Sequence, residues 1–228
     1  MTSLARNLYA FWTEDNEMSI FRQNNIKELR NRCGVNFLLL KPNDIKLYEL
    51  PDHPFHESYS YLSATAKSDY LRSYFMNFYG GGYVDIKFCD YNWNQYYDQL
   101  EQSDKYAIGY LPVGAENVAV DPEDPDGITI QSHWQELIGA GAMICKPKTA
   151  FTVYWFKLMT DILDSKKDKL KAYPAQHVRD RQGWKGTNSN YPLRWAEIGP
   201  ETLFKSAFTF KDKITVGLPR PDLFGKYR

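Results

Sequence analysis

The chain has 228 residues, 43% of them hydrophobic, which suffices for one α/β domain with a sizeable core, and we expect residues 1–228 to form a single domain. Lys plus Arg number 28 and Asp plus Glu also number 28, so no global charge attracts the chain to nucleic acid or to an anionic membrane. Three widely spaced cysteines argue against a disulfide framework or a zinc knuckle and favour a reducing, cytoplasmic compartment.

The sequence gives no sign of a membrane anchor. Residues 1–10 carry no long apolar stretch, so we expect no signal peptide. The longest aliphatic run, residues 37–40, is far too short to cross a bilayer. A membrane-facing acceptor would have to be reached from the surface, as a peripheral contact.

The first part of the chain predicts a β-α-β unit. Residues 8–12 are typical of a short buried strand, residues 16–32 carry helical apolar spacing, and residues 35–40 predict a second strand. Such a unit indicates two parallel strands joined by a crossover helix. Residues 43–57 are expected to be irregular because their two prolines break any helix.

The middle of the chain predicts a helix and a strand with glycines between them. Residues 58–79 are expected to be helical, in one or two pieces, and the glycine run 80–82 ends the helix. Residues 83–87 then predict a strand end. The later elements predicted are strands at 105–111, 140–145 and 214–216, a long helix at 151–170, and loops at 112–127 and 174–192.

Two charged residues stand apart from the apolar side of the predicted helix 58–79. Asp69 and Arg72 lie about 60° apart around the helix axis, while Leu71 and Phe75 belong to the opposite, core-facing side. Two interpretations stay open. The pair is an ion pair on a solvated face, or it is a carboxylate that accepts from sugar hydroxyls beside a guanidinium that binds phosphate.

The strand after the glycine run carries a third candidate, Asp85. Glycines before a strand allow close approach to a ligand. Ligands of open α/β sheets lie beyond the carboxyl ends of the strands. A carboxylate in that position can bind a ribose hydroxyl or a divalent cation that neutralises a diphosphate.

The run from residue 66 to 87 resembles the sugar-binding region of GT-A glycosyltransferases of the DXD type. Capsular-polysaccharide-type enzymes, Och1-like mannosyltransferases and glucosylating clostridial toxins share its pattern, S-D-x-x-R followed by Y-G-G-x-Y-x-D-x-D. Residues 11–13, 139–147 and 191–200 resemble further segments of these enzymes, so the likeness covers nearly the whole chain. It implies a GT-A-like α/β fold with a mainly parallel central sheet flanked by helices.

The resemblance also implies residue roles. Trp12 would border the nucleobase, with plain core filling as the alternative, while Asp69 would hold sugar hydroxyls and Arg72 would contact sugar or phosphate. Asp85 would bind ribose, sugar or metal. The implied catalytic set is Asp69, Arg72, Asp85 and Glu197. The implied nucleotide-sugar site is Phe11, Trp12, Thr13, Asp69, Arg72, Gly81, Gly82, Tyr83, Val84, Asp85, Lys87, His177 and Trp195.

One position departs from the family pattern, because Lys87 replaces the second acid of D-x-D. A protonated lysine cannot ligate a metal. Lys87 would itself neutralise the diphosphate, or Asp90 or Glu197 would complete a metal site, or Lys87 would simply face solvent. We expect a divalent metal, Mn²⁺ or Mg²⁺, bound through Asp85, with Lys87 weakening that expectation.

The sequence therefore predicts a glycosyltransferase that moves a sugar from a UDP- or GDP-sugar to a glycan acceptor. The resemblance favours retention at the anomeric carbon, and polysaccharide or glycoprotein glycan synthesis, as in a capsule. Two alternatives stay open: a sugar nucleotidyltransferase and a non-catalytic module that binds glycan or nucleotide-sugar. The segment after Trp12 lacks the glycine-rich phosphate loop of a nucleotidyltransferase. Trp184 is a candidate for a loop that closes over the donor.

Overall fold

A mixed six-stranded sheet forms the centre of the computed structural model, which describes residues 4–183 and 190–221. The strand order is β2-β1-β3-β5-β4-β6. The strands are β1 Asn7–Phe11, β2 Asn36–Leu40, β3 Gly81–Val84, β4 Ala107–Gly109, β5 Ala142–Cys145 and β6 Ile214–Val216. The helices are α1 Ile20–Arg32, α2 Pro42–Lys46, α3 Ala64–Phe78, α4 Asn94–Glu101, α5 Gly127–Ser132, α6 Ala150–Ala172 and α7 Pro200–Thr209.

The sheet is mainly parallel, as the sequence predicted. β1 pairs in parallel with both β2 and β3, and β4 pairs in parallel with β6. β5 alone runs against its neighbours β3 and β4. The parallel pair β1 and β2, joined by α1, confirms the predicted β-α-β unit.

Both faces of the sheet are covered by apolar cores, because successive strand residues point to opposite faces. In β1, Tyr9 and Phe11 belong to a core that contains residues of α3, α6 and α7, whereas Leu8 and Ala10 belong to one that contains residues of α1 and α4. This two-sided burial explains why the strands read as apolar runs without alternation. It also leaves the ends of the strands as the places where polar side chains can gather.

Several boundaries differ from the sequence prediction. The first helix begins at Ile20 rather than at residue 16, because the Ser19 side chain caps it by accepting from the Arg22 N–H. The segment predicted as irregular contains the short helix α2, since a proline is tolerated in the first turn of a helix. The strand predicted at 83–87 lies at Gly81–Val84, and after it the Asp85 N–H still donates to the carbonyl oxygen of Gly141, the residue before β5. Helices α4, α5 and α7 were not predicted.

The predicted helix at 58–79 does consist of two pieces, a 3₁₀ turn at Glu57–Tyr61 and α3. The Ser63 side chain caps α3 by accepting from the Ala66 N–H. The helix ends at Gly80, whose φ of 66° is the left-handed conformation expected there. This ending directs the chain from α3 straight into β3 and thereby links the two segments of the resemblance.

Within residues 4–183 and 190–221, no helix combines the length and the apolar character needed to cross a bilayer. The expectation that residues 1–228 form one domain stays a prediction.

Gly80→Ala tests the turn between α3 and β3. A Cβ at residue 80 would lie 2.5 Å from Pro147 Cδ and 3.0 Å from the Cys145 carbonyl oxygen, at a positive φ. We expect a loss of about 1–2 kcal/mol from the left-handed conformation and about 1–3 kcal/mol more from the overlap, measured as the free energy of unfolding in urea. Gly183→Ala is the matched control, because Gly183 has φ 73° and, within residues 4–183 and 190–221, no atom lies within 4 Å of its added Cβ. Equal losses in the two variants would contradict the overlap.

Candidate functional site

A cleft of about 600 Å³ lies at the carboxyl-terminal edge of the sheet. Residues that follow β1, β3 and β4 line it, and so do residues that precede β5, since this strand runs the other way. Ligands bind at this edge in open α/β sheets. The lining includes ten predicted site residues: Phe11, Trp12, Thr13, Asp69, Arg72, Tyr83, Val84, Asp85, Lys87 and Trp195.

A buried guanidinium joins the charged groups of the cleft. The nearest nitrogen of Arg72 lies 3.2 Å from Asp69 Oδ1 and 3.7 Å from Asp85 Oδ1. The same nitrogen donates to the Tyr83 hydroxyl at 3.2 Å, and the guanidinium lies 4.5 Å from the centre of the Tyr83 ring. The Tyr83 hydroxyl in turn donates to Asp85 Oδ1 at 2.7 Å. The helix-borne pair and the strand-end carboxylate therefore form one cluster, joined by ion pairs and by the hydrogen bonds of Tyr83.

Asp69 and Arg72 do form an i,i+3 ion pair, but the expectation that this pair lies on a solvated face is wrong. Each residue is only 6% exposed. Asp69 is covered by Gly199, the residue that precedes α7, where an added Cβ would lie 2.4 Å from the carboxylate carbon. The carboxylate therefore lies at the amino-terminal end of α7, where the helix dipole favours negative charge. Buried ionic groups of this kind are costly unless they are paired, and this cluster pairs them.

The two carboxylates have opposite shifts in pKa. Burial raises the pKa of Asp69 to about 6, with the Arg72 charge opposing the shift and the Asp85 charge adding to it. Burial also opposes ionisation of Asp85, but the positive charges of Lys87 and Arg72 and the hydrogen bonds from Lys87 and Tyr83 hold its pKa below the usual value. Asp85 is thus the more strongly ionised acceptor of the two.

Lys87 donates two hydrogen bonds to Asp85. Its Nζ donates to Asp85 Oδ2 at 2.7 Å, and its backbone N–H donates to the Asp85 carbonyl oxygen, also at 2.7 Å. Both carboxylate oxygens of Asp85 therefore accept hydrogen bonds, one from Tyr83 and one from Lys87. Among the described residues no group of three or more His, Cys, Asp or Glu could hold a metal ion. This donor set does not fit a divalent cation, which would face the charge of Lys87.

Neither residue expected to complete a metal site lies in the cleft lining. Asp90 is exposed on the chain after β3. Glu197 is 5% exposed, and its carboxylate accepts from Lys166 Nζ at 2.6 Å and from the Arg194 backbone N–H at 2.9 Å. These bonds tie α6 to the segment before α7, so the contacts of Glu197 are those of a structural ion pair. The structure does not bring Glu197 to the other predicted catalytic residues.

The aromatic end of the cleft is built by the residues after β1. Trp12 is half-buried, and its Nε1 donates to the Asn16 carbonyl oxygen at 2.9 Å. The Arg22 guanidinium lies 5.2 Å from the centre of the Trp12 ring. Thr13 Oγ1 donates to the Ala64 carbonyl oxygen at 2.9 Å, which fixes this segment to the start of α3. A half-buried indole in a cleft offers an apolar face on which a base can stack.

Three residues of the predicted donor site lie elsewhere. Gly81 and Gly82 are inside the sheet, where an added Cβ would lie 2.7 Å from the Asn7 carbonyl oxygen and 2.8 Å from the Tyr97 hydroxyl, respectively. These glycines therefore allow close packing between the strand, its neighbour β1 and α4, not close approach of a ligand. His177 is outside the cleft lining, although the two residues that follow it belong to the lining.

Trp195 lies in the lining and is 48% exposed, with the Arg181 guanidinium 4.9 Å from its ring centre. Trp184, the candidate for a closing loop, lies outside the described residues.

Sequence reasoning missed several lining residues, of which the most polar are Glu14, Ser19, Arg22, Ser68, Tyr110 and Arg179. Ser68 stands directly before Asp69 and matches the first letter of the S-D-x-x-R pattern, so a signal for it existed. Tyr110 lies at the end of a predicted strand and Arg179 in a predicted loop, and only the tertiary fold brings them to the cleft.

The chain matches no protein-family model and no curated protein. It is similar to a solved structure titled "PaToxG Glycosyltransferase", with 10% sequence identity and a TM-score of 0.46. The similarity covers 90% of this chain and 69% of that chain. Likeness at this level carries no argument about function, so the function has to be argued from the cleft itself.

The raised pKa of Asp69 predicts how stability depends on pH. A carboxyl group whose pKa rises on folding, here from 3.8 to about 6, contributes stability that is fully present below pH 3.8 and is lost as the pH rises through about 6. Asp69→Asn cannot ionise, so its free energy of unfolding relative to wild type should increase by about 1–3 kcal/mol between about pH 4 and pH 7. Urea unfolding at a series of pH values measures this difference.

Asp124→Asn is the control for that series. The hydrogen bond from Lys205 lowers the pKa of Asp124 on folding, so its contribution is present above its ordinary pKa of 3.8 and is lost only below it. Asp124 does not contribute to the pKa shift of Asp69, so the difference in free energy of unfolding between Asp124→Asn and wild type should stay flat between about pH 5 and pH 7. If the difference in free energy of unfolding between Asp69→Asn and wild type were also independent of pH, burial would not raise the pKa of Asp69.

Proposed function

We propose that the chain is a glycosyltransferase that moves a sugar from a UDP- or GDP-sugar to a glycan acceptor, in polysaccharide or glycoprotein glycan synthesis. The observation that carries the proposal is the joining of Asp69, Arg72 and Asp85 into one cluster in the cleft that Trp12 also lines. A nucleotide-sugar needs these chemistries together: an aromatic face for the base, cations for the diphosphate, and carboxylates for ribose and sugar hydroxyls.

The lining suggests how the donor would lie. The base would stack on Trp12, and the ribose and diphosphate would follow along Asp85 and Lys87. The sugar would reach Asp69 and Arg72, where a buried carboxylate and guanidinium can accept from and donate to its hydroxyl groups. Trp195, exposed at the rim, would meet the sugar or its acceptor.

In the transfer, the bond between the anomeric carbon and the β-phosphate oxygen breaks, and its electron pair leaves with the diphosphate. The acceptor hydroxyl oxygen forms the new bond to the same carbon, on the face that the diphosphate left if the configuration is retained. The hydroxyl proton passes to a diphosphate oxygen. The chain's contribution would be to position both substrates and to stabilise charge on the leaving group.

A second candidate is a non-catalytic module that binds nucleotide-sugar. The observation in its favour is the closed pair of Lys87 and Asp85, which engages the strand-end carboxylate that the resemblance assigns to the donor. Both candidates require nucleotide-sugar binding, and only the enzyme requires turnover.

Thermal unfolding with UDP-, GDP- and dTDP-sugars tests binding, because a ligand that binds only the native state raises the melting temperature. We expect one of the UDP- or GDP-sugars to give a clear rise. Release of free sugar or nucleotide from that donor above the rate without protein then separates the enzyme from the binding module. No rise with any of these donors would contradict both candidates.

Asp85→Asn should lower turnover at least about 100-fold while the protein stays folded. A neutral amide cannot supply the negative charge that holds Lys87 and Arg72 and that accepts hydrogen bonds from the hydroxyl groups of the donor. Donor hydrolysis by the purified variant measures the effect, and circular dichroism checks the fold. Asp161→Asn is the matched control, since Asp161 forms only an exposed ion pair with Lys157 on α6. Full turnover by Asp85→Asn would remove Asp85 from the site.

The role of Trp12 gives a separate prediction. Trp12→Leu should weaken binding of the nucleoside diphosphate about 5- to 150-fold, because stacking on a base is worth about 1–3 kcal/mol, while Trp12→Phe should recover much of the loss. Isothermal titration with UDP and GDP measures both. Equal affinities in wild type and Trp12→Leu would assign the indole to core packing.

A further inference from the structure

The turn after β3 places a positive charge on the carboxylate at the end of the strand. The Lys87 backbone N–H donates to the Asp85 carbonyl oxygen, which folds the chain back on itself. The side chain then lies along the cleft, 14% exposed, with Nζ 2.7 Å from Asp85 Oδ2. The Lys87 ammonium is therefore a fixed part of the cleft wall. It is held by Asp85, the carboxylate expected to bind a metal ion because of its place at the end of a strand and because of the resemblance.

The other charged side chains of the lining also disfavour a bound metal ion. Among the described lining residues, Arg22, Arg72, Lys87 and Arg179 are cationic. The carboxylates are three: Glu14 contacts Lys67 at 3.3 Å, while Asp69 and Asp85 share Arg72. Each acid that a metal would need thus already has a cation beside it, and removing that cation would leave a charge uncompensated.

We propose that the protein binds the diphosphate of its nucleotide donor without a divalent cation, and that the Lys87 ammonium, held by Asp85 and supported by the Arg72 guanidinium, takes the place of the metal. This inference rests on the proposed function. An ammonium has three N–H donors, so it can donate to Asp85 and to a phosphate oxygen together. Charge-assisted bonds of this type are the strong ones in phosphate recognition.

In the transfer step, the electron pair of the broken bond between the anomeric carbon and oxygen stays on the β-phosphate oxygen. The charge that builds up there is stabilised by Lys87, which is already oriented and partly shielded from water. No electron or proton has to move through the lysine.

The experiment measures affinity for UDP and for GDP by isothermal titration, once in EDTA and once in Mn²⁺. Four proteins are compared: wild type, Lys87→Gln, Lys87→Asp, and Lys27→Asp as the control, because Lys27 is an exposed lysine of α1 outside the cleft lining. We expect wild type and Lys27→Asp to bind the preferred nucleotide equally well, within about twofold, in EDTA and in Mn²⁺.

The two Lys87 variants should differ from each other. Lys87→Gln should bind about tenfold or more weakly in both conditions, because a hydrogen bond to a charged group is lost and nothing replaces it. Lys87→Asp restores the second acid of D-x-D, so it should bind poorly in EDTA and recover affinity in Mn²⁺. Melting temperatures of the free proteins show whether each variant is folded.

Binding by wild type only in Mn²⁺ would overturn the inference while leaving the proposed function in place. Undiminished binding by Lys87→Gln in EDTA would overturn it as well. No binding of either nucleotide by any of the four folded proteins would contradict the proposed function together with the inference.

Discussion

The guanidinium of Arg72 is the interaction on which the cleft depends. It is almost entirely buried, so its charge requires partners, and it finds Asp69 one helical turn away and Asp85 at the end of β3. The ring of Tyr83 packs against the guanidinium, and its hydroxyl donates a hydrogen bond to Asp85. One cation therefore fixes the relative positions of a helix and a strand, and it does so at the edge of the sheet where a ligand can enter.

The central part of the fold was predictable because its signals are local. The β-α-β unit and the ending of α3 at Gly80 follow from apolar spacing and glycine positions, whereas the mainly parallel sheet was implied by the resemblance. Helix α4 was missed because its eight residues are too few to repeat an apolar spacing, although its buried residues Tyr97 and Leu100 stand three positions apart. Helix α7 was missed although Leu203, Phe204 and Ala207 have helical spacing.

The charged cluster of the cleft was predictable because one segment of the sequence carries it. Asp69, Arg72 and Asp85 stand close together in the sequence, and they do meet. Their burial could not be read from periodicity, because the residue that covers Asp69 is Gly199, from a distant segment. The same limit explains Glu197. Its place in a motif suggested chemistry, but its bonds to Lys166 and Arg194 appear only once the chain is folded.

The reversed direction of β5 has a consequence for the floor of the cleft. The chain enters the sheet there at the edge where its neighbours leave it, so Gly141 meets side chains that follow other strands. A methyl group on this residue would lie 3.2 Å from both Asp85 Oδ2 and the Tyr110 hydroxyl. An added Cβ would require the carboxylate or the hydroxyl to move by a few tenths of an ångström. The backbone of Gly141 therefore helps to set where the Asp85 carboxylate lies on the floor of the cleft.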